Sequence, residues 1–193
     1  MEWDKLQAER LAVITDLCSR APGGSLGRTA LMKLCYFLQV LKGVPLGYHF
    51  TLYSYGPFDS DVLSDLGTAE SLGAVHSKVA YYSGGYGYDI RKAERADATL
   101  AEAAHFLDKY RAALDWTVAE FGSLGSANLE LQSTVVFVDR EALRVSEALT
   151  LPELARRVGD VKPHFKQSVI LENANRLYER GLLQSAKPAI ATA

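Results

Sequence analysis

The sequence predicts an α+β protein that is mainly α-helical, with a helical core and a β-hairpin wing. Through most of the chain, apolar residues recur every three or four positions, as they do on one face of an amphipathic helix. Two shorter stretches, residues 48–55 and 74–92, are instead rich in aromatic and β-branched residues, which favour strands. Glycine and proline stand between these segments and mark the turns.

The N-terminal region is predicted to form two helices. Leucine and isoleucine recur at spacings of three to five within residues 2–20, and Pro22 and three glycines interrupt the pattern before residue 28. Residues 28–42 are apolar on most sides, so the second helix is expected to be buried. Gly43 suits the position after its last turn, because glycine adopts the left-handed conformation there without strain.

A strand and a third helix are predicted next. Residues 48–55 form the strand, which ends at Gly56. The helix is predicted over residues 57–72 and begins at Pro57, because proline has no N–H to lose in the first turn of a helix. Aspartates follow where the helix dipole favours negative charge.

The middle of the chain predicts a β-hairpin. Residues 74–82 and 86–92 are rich in strand formers and flank a Ser-Gly-Gly turn. Residues 94–98 are polar and are interpreted as a linker to the C-terminal half.

Four further helices are predicted in the C-terminal half. Residues 128–146 are ambiguous, because residues 134–138 (TVVFV) would also suit a buried strand, but the length of the pattern favours a helix. Residues 185–193 are interpreted as a frayed tail. The four helices are predicted over residues 99–121, 128–146, 151–158 and 163–180.

Composition and charge exclude several classes of protein. The chain is predicted to comprise two parts, residues 1–96 and 97–193, that share one core. Its 193 residues carry 21 basic and 23 acidic side chains, a net charge of -2, which excludes a generally basic protein that coats nucleic acid. The first ten residues carry five charges and form no signal peptide. No apolar stretch approaches the roughly 18 to 20 residues that span a bilayer, so a cytoplasmic location without membrane contact is expected.

The sequence offers little support for catalysis, and we expect neither an enzyme nor a bound cofactor or metal. Two cysteines are too few for a cysteine-cluster metal site, and the four histidines are far apart. Residues 23–27 match the G-x-S-x-G pattern, but a nucleophile elbow needs a strand before its serine, and here a helix precedes it. Ser25 is better explained as a loop or capping residue.

Three short motifs in residues 26–66 resemble a known family. They are K-L-C-Y-F-L-Q at residues 33–39, G-V-P-L at 43–46 and Y-G-P-F at 55–58. Together they resemble the Panacea (SocA-like) antitoxin domain, and more closely its YwgA-like relatives. That resemblance implies a non-enzymatic protein that neutralises a toxin, or acts as a regulatory adaptor, by contacting another protein.

The resemblance directs attention to one partner-binding surface, formed by the turn and helix of residues 55–65 with one face of the second helix. On that face, residues 33, 36 and 39 form a polar stripe that either contacts a partner or edges the buried core. Residues 57–75 carry four acids and no lysine or arginine, which suits a basic partner such as a basic toxin. The predicted partner-binding residues are Lys33, Tyr36, Gln39, Tyr55, Gly56, Pro57, Phe58, Asp59, Asp61 and Asp65.

The main alternative is a winged-helix regulator that binds DNA. Residues 151–183 have the rhythm of a helix-turn-helix, and residues 66–75 and 177–183 both look like the end of a winged helix. Gln167 or Asn173 is placed to reach base edges. The cations expected to contact phosphates are Arg156, Arg157, Lys162 and Lys166, opposed by Asp160.

Overall fold

The computed structural model describes residues 4–82 and 85–188, without the side chain of Tyr82. The described residues form eight α-helices and three two-stranded sheets, which confirms the predicted mainly helical α+β class. The helices are α1 (Lys5–Arg20), α2 (Arg28–Lys42), α3 (Ser60–Ser71), α4 (Ala96–Glu102), α5 (Ala104–Phe121), α6 (Ser126–Arg144), α7 (Leu151–Val161) and α8 (Gln167–Glu179). The strands are β1 (Thr51–Tyr53), β2 (Gly56–Phe58), β3 (Val75–Tyr82), β4 (Gly85–Lys92), β5 (Leu149–Thr150) and β6 (Ala186–Lys187).

The chain divides into two compact units, and the division differs from the predicted boundary at residue 96. The first unit comprises residues 1–51 and 58–126, and the second comprises residues 52–57 and 127–193. A short segment from the first half of the sequence therefore belongs to the second unit, which local periodicity does not reveal.

The first unit is built around α1 and α2. Residues 11–18 of α1 and residues 31–38 of α2 are buried, and α1 contacts α3, α4 and α5. The rings of Phe37 and Phe121 stack with their centroids 3.9 Å apart in this core. Gly43 closes α2 at a φ of 65°, in the left-handed conformation expected of it.

The predicted hairpin is confirmed as the antiparallel pair of β3 and β4. Ser83 and Gly84 of the predicted turn lie outside the described residues. At the base of the hairpin, Leu26 and Ile90 exchange two backbone hydrogen bonds of 3.0 and 2.8 Å. The loop before α2 thereby covers part of the outer edge of β4.

Three predicted elements of the first half have other limits in the structure. The strand over residues 48–55 is shorter, because the backbone of Tyr48 pairs with the side-chain amide of Gln39 at 2.8 and 2.9 Å. Pro57 lies in β2 and does not begin a helix; α3 starts after Asp59, whose side chain accepts a hydrogen bond from the N–H of Asp61. The proposed linker is partly helical, since α4 begins at Ala96 and a break at Ala103 separates it from α5.

The second unit contains α6, α7 and α8. The ambiguous residues 134–138 lie inside α6, so the helical interpretation is confirmed. The last helix starts at Gln167 instead of residue 163. The predicted frayed tail is ordered through β6, which pairs in parallel with β5, and the remainder from residue 189 lies outside the described residues.

No helix among residues 4–82 and 85–188 is long and apolar enough to cross a membrane.

Candidate protein-binding surface

The polar stripe predicted on α2 lies in the interior. Lys33 and Tyr36 are each only 2% exposed, and Gln39 uses both atoms of its amide to bind the backbone of Tyr48. The prediction that these three residues contact a partner is therefore not supported by their positions. The alternative, that they edge the buried core, describes them better, because α2 is covered on the face that carries them.

The acids of α3 have mostly intramolecular partners. Asp59 caps the helix and accepts hydrogen bonds from the backbone N–H groups of His49 and Asp61. Asp65 is buried, accepts a 2.9 Å hydrogen bond from the hydroxyl of Tyr48 and lies 3.7 Å from a guanidinium nitrogen of Arg10. These acids therefore do not form a free acidic face on α3. The charge argument for a basic partner loses its support.

Burial raises the pKa of Asp65 above its usual value. The hydrogen bond from Tyr48 and the charge of Arg10 act in the opposite direction, and the neighbouring carboxylates of Asp61 and Asp59 add to the rise. The same burial raises the pKa of Tyr48, so its hydroxyl remains a proton donor to Asp65.

The turn between β1 and β2 exposes two aromatic residues. Tyr53 is 65% exposed and Tyr55 is 71% exposed, whereas Gly56 and Pro57 are buried and Phe58 is half-buried. Aromatic residues are enriched in protein–protein interfaces relative to the rest of the protein surface. Of the aromatic residues in the predicted surface, Tyr55 is the one that is exposed.

Gly56 fixes one side of this turn against α6 in the second unit. Its φ is +88°, and a Cβ atom added there would lie 3.1 Å from the hydroxyls of both Ser133 and Thr134 and 3.3 Å from the carbonyl oxygen of Glu130. Those hydroxyls donate to the same carbonyl at 3.0 and 2.7 Å, so they are already oriented towards Glu130. Only glycine allows the turn to approach α6 this closely.

Lys162 contacts the other side of the turn, and its predicted position at the surface was wrong. It was predicted to contact phosphates, but it is 1% exposed. Its ammonium group binds the carbonyl oxygen of Ser54, lies 3.4 Å from that of Tyr53, and lies 2.8 Å from a carboxylate oxygen of Glu130. The contact with Glu130 is a close ion pair and not an aligned hydrogen bond.

A sequence signal for the burial of Lys162 existed. Leu154 and Val158 are buried on α7, and Lys162 follows them at the same four-residue interval. A lysine in phase with a buried stripe either extends to solvent or needs an internal acceptor, and only the structure shows the acceptor.

The other cations predicted to bind nucleic acid are largely engaged by acids. Arg156 pairs with Asp160 at 2.9 Å, and Arg157 makes a two-point contact with Glu147. Lys166 is exposed. The proposed base reader Asn173 is buried and bonds to Gln132 and to the backbone of α8, whereas Gln167 is exposed.

A second exposed aromatic surface lies on the hairpin of the first unit. Val75 and Ile90 are buried at its base, and the same face continues outwards through Val79, Tyr81 and Tyr86. Tyr81 and Tyr86 are cross-strand partners and are 85% and 69% exposed. The apolar face of the hairpin therefore extends beyond the core that covers its base.

The described residues offer little that resembles a catalytic or metal centre. No group of histidine, cysteine and acidic side chains in this part of the chain is arranged to hold a metal ion. Ser25 of the G-x-S-x-G pattern hydrogen-bonds to Asp89, an interaction that lowers the pKa of the carboxyl group. It lies between a short 3₁₀ helix (Pro22–Gly24) and α2, not on a strand-to-helix turn.

The described residues form a helix-rich α+β protein with an exposed aromatic turn whose backbone contacts α6 and Lys162. Neither the comparison with protein-family models nor the search of curated proteins finds a match to this chain.

Proposed function

We propose that this protein is a non-enzymatic protein-binding module, antitoxin-like or a regulatory adaptor, and that the turn carrying Tyr53 and Tyr55 contacts its partner. The observation that carries this proposal is the combination of exposed tyrosines with a backbone held from both sides by buried groups. Tyrosine presents a large contact area at a small loss of side-chain entropy, and a preformed turn reduces that loss further. The resemblance to the Panacea antitoxin domain supports the same class of function.

A photocrosslinking experiment tests this proposal. The full-length tagged chain is produced in its own cells with p-benzoylphenylalanine in place of Tyr55, and in parallel with the same probe in place of the exposed Lys5. We expect the probe at residue 55, and not the probe at residue 5, to crosslink one protein in stoichiometric amount. No crosslinked protein at residue 55, or the same set at both positions, would contradict the proposal.

Substitution of the two tyrosines provides the second arm. Tyr53→Ser with Tyr55→Ser is expected to weaken capture of the crosslinked partner by tenfold or more, because exposed aromatic anchors dominate binding energy. Tyr81→Ser with Tyr86→Ser is the matched control, since it removes two exposed tyrosines from the hairpin. If the partner inhibits growth when produced alone, rescue by this protein should be lost with the first pair and kept with the second.

DNA binding by the second unit is the other candidate function. The observation that favours it is that α7 and α8 pack as consecutive helices joined by a short turn, with Lys166 and Gln167 exposed at the start of α8. Fluorescence titration with duplex DNA at several salt concentrations tests it. Binding that weakens steeply with salt and is lost with Lys166→Ala would support DNA recognition, and binding indifferent to both would oppose it.

A further inference from the structure

We propose that Lys162 and Glu130 are positioning residues that hold the turn of residues 53–56 in its binding conformation. This inference rests on the proposed function, since it assigns a role to the residues behind the exposed tyrosines. Its evidence is a set of contacts within the second unit, between the turn, α6 and the residue that follows α7.

The ammonium group of Lys162 is matched by its surroundings. It has three protons, and three oxygen atoms lie around it: the carbonyl oxygens of Ser54 and Tyr53 and a carboxylate oxygen of Glu130. The carboxylate supplies the opposite charge that a buried ammonium group needs, and the two carbonyl oxygens accept its hydrogen bonds. The two carbonyl groups belong to the residues on either side of the turn's first peptide bond.

Glu130 contacts the turn through both its side chain and its backbone. Its carboxylate pairs with Lys162, while its carbonyl oxygen accepts the hydroxyl hydrogen bonds of Ser133 and Thr134, the three atoms against which Gly56 packs. Glu130 therefore contacts both Lys162, which binds one end of the turn, and Gly56, which forms the other end. Tyr55 lies between Ser54, which Lys162 binds, and Gly56, which packs against α6; the carbonyl oxygen of Tyr53 is itself 3.4 Å from the ammonium group.

A buried ion pair contributes little net stability to a fold. Stability alone therefore does not explain why Lys162 and Glu130 are buried together. The desolvation of two charges offsets most of their attraction, and apolar residues of similar volume often serve stability equally well. An apolar pair in these positions would fill the space but offer nothing to the carbonyls of Ser54 and Tyr53. The specific contribution of Lys162 is therefore to hold the backbone of the turn in one conformation.

The carboxylate of Glu130 has a second neighbour. The Nε2 atom of His164 lies 3.3 Å from the same oxygen, and the His164 ring packs against Phe165. The residues that join α7 to α8 thus approach the same carboxylate, which connects the helix-turn-helix segment to the turn within this unit.

Hydrogen exchange of the full chain separates this role from general stability. In the double variant Lys162→Met with Glu130→Met, we expect a cooperative unfolding transition close to that of the wild type. We also expect peptides that cover residues 52–57 to exchange at least about tenfold faster, while peptides within α7 and α8 keep their protection. Lys166→Met is the control, since it removes an exposed lysine nearby in sequence, and it should change neither.

The outcome that overturns the proposal is a folded double variant whose residues 52–57 remain as protected as in the wild type. Crosslinking from residue 55 in the same variant then reports the consequence for binding, with a loss of tenfold or more expected. Exchange needs no partner, so it decides the positioning role even if the wild-type probe at residue 55 crosslinks nothing. A wild-type probe that crosslinks nothing would oppose the proposed function but not the positioning role.

Discussion

Gly56 has a left-handed backbone conformation and packs closely against α6, and both features disfavour any other residue there. The φ of +88° disfavours any side chain, and two hydroxyl groups and a carbonyl oxygen would lie only 3.1 to 3.3 Å from a Cβ atom. The sequence suggested a turn here, because glycine followed by proline interrupts a strand-like stretch. It did not show that α6, more than 70 positions later in the chain, sets the space around the turn.

Gly56→Ala is expected to destabilise the protein by about 3 kcal/mol. Left-handed strain contributes roughly 1–2 kcal/mol, and overpacking against α6 adds about as much. Urea unfolding of the variant and the wild type measures the difference. Gly67→Ala is the control, because a Cβ atom within α3 meets nothing within 4 Å and alanine favours the helix by up to about 1 kcal/mol. Equal effects of the two substitutions would refute the packing argument.

Asp65 is expected to make stability fall as the pH rises. Because burial raises its pKa in the folded chain above the unfolded value, the folded state binds the proton more tightly. The favourable contribution is complete below the unfolded pKa of 3.8 and is lost as the pH rises through the folded pKa. In urea midpoints measured upwards from pH 4, Asp65→Asn should remove this decline. Asp61→Asn, on the exposed part of α3, should retain most of it, because burial is the largest cause of the raised pKa and the charge of Asp61 adds a smaller part. An unchanged slope in Asp65→Asn would contradict the assignment.

At the scale of the element, two helix ends carry clear local signals. Thr150 and Glu153 form a reciprocal capping box at the start of α7, and Gly181, with a φ of 68°, follows the end of α8. The TVVFV segment shows where local signals are insufficient, because its residues suit strand or buried helix equally. Its position inside α6 follows from burial on nearly all sides, which tertiary packing decides.

Asp139 joins the C-terminal segment to α6, so its substitution tests how β6 is held in place. Its carboxylate is fully buried and accepts hydrogen bonds from the backbone N–H groups of Gln184, Ser185 and Ala186, each at 2.9 Å. Asp139→Ala leaves these donors without that acceptor and should destabilise the second unit by about 3 kcal/mol or more.

Urea unfolding and limited proteolysis measure the effect of Asp139→Ala. Cleavage near residue 184 should accelerate as β6 detaches from β5. Glu141→Ala is the control on the same helix, since its carboxylate is half-exposed and pairs with Arg144 on the surface. A protease-resistant C-terminal segment in Asp139→Ala would show that β6 is held by other contacts.

For the molecule as a whole, the two free cysteines report on the core of the first unit. Cys18 and Cys35 are fully buried, and burial raises the pKa of Cys18 from 9.0 to about 12 and that of Cys35 further in the same direction. The thiolate is the reactive form, so both accessibility and ionisation oppose labelling.

We expect a thiol reagent at pH 8 to label neither cysteine of the native protein and both in denaturant. The labelling rate in intermediate urea should follow the opening of the first unit, because reaction requires exposure. Free cysteine in the same buffer controls for reagent activity. Rapid labelling of either thiol without denaturant would contradict the burial of α1 and α2.

The helical class, the hairpin and most helix ends were determined by the sequence itself, because periodicity, capping residues and glycines act over one or two turns. Tertiary structure alone decided which charged residues are exposed. Lys162 binds the carbonyl oxygen of Ser54, 108 positions earlier, and no local pattern contains that acceptor. The acids of α3 likewise meet Arg10, Tyr48 and His49 only after folding. Of the predicted partner-binding residues, Tyr55 and Asp61 are consequently the exposed ones, because burial depends on contacts between distant segments.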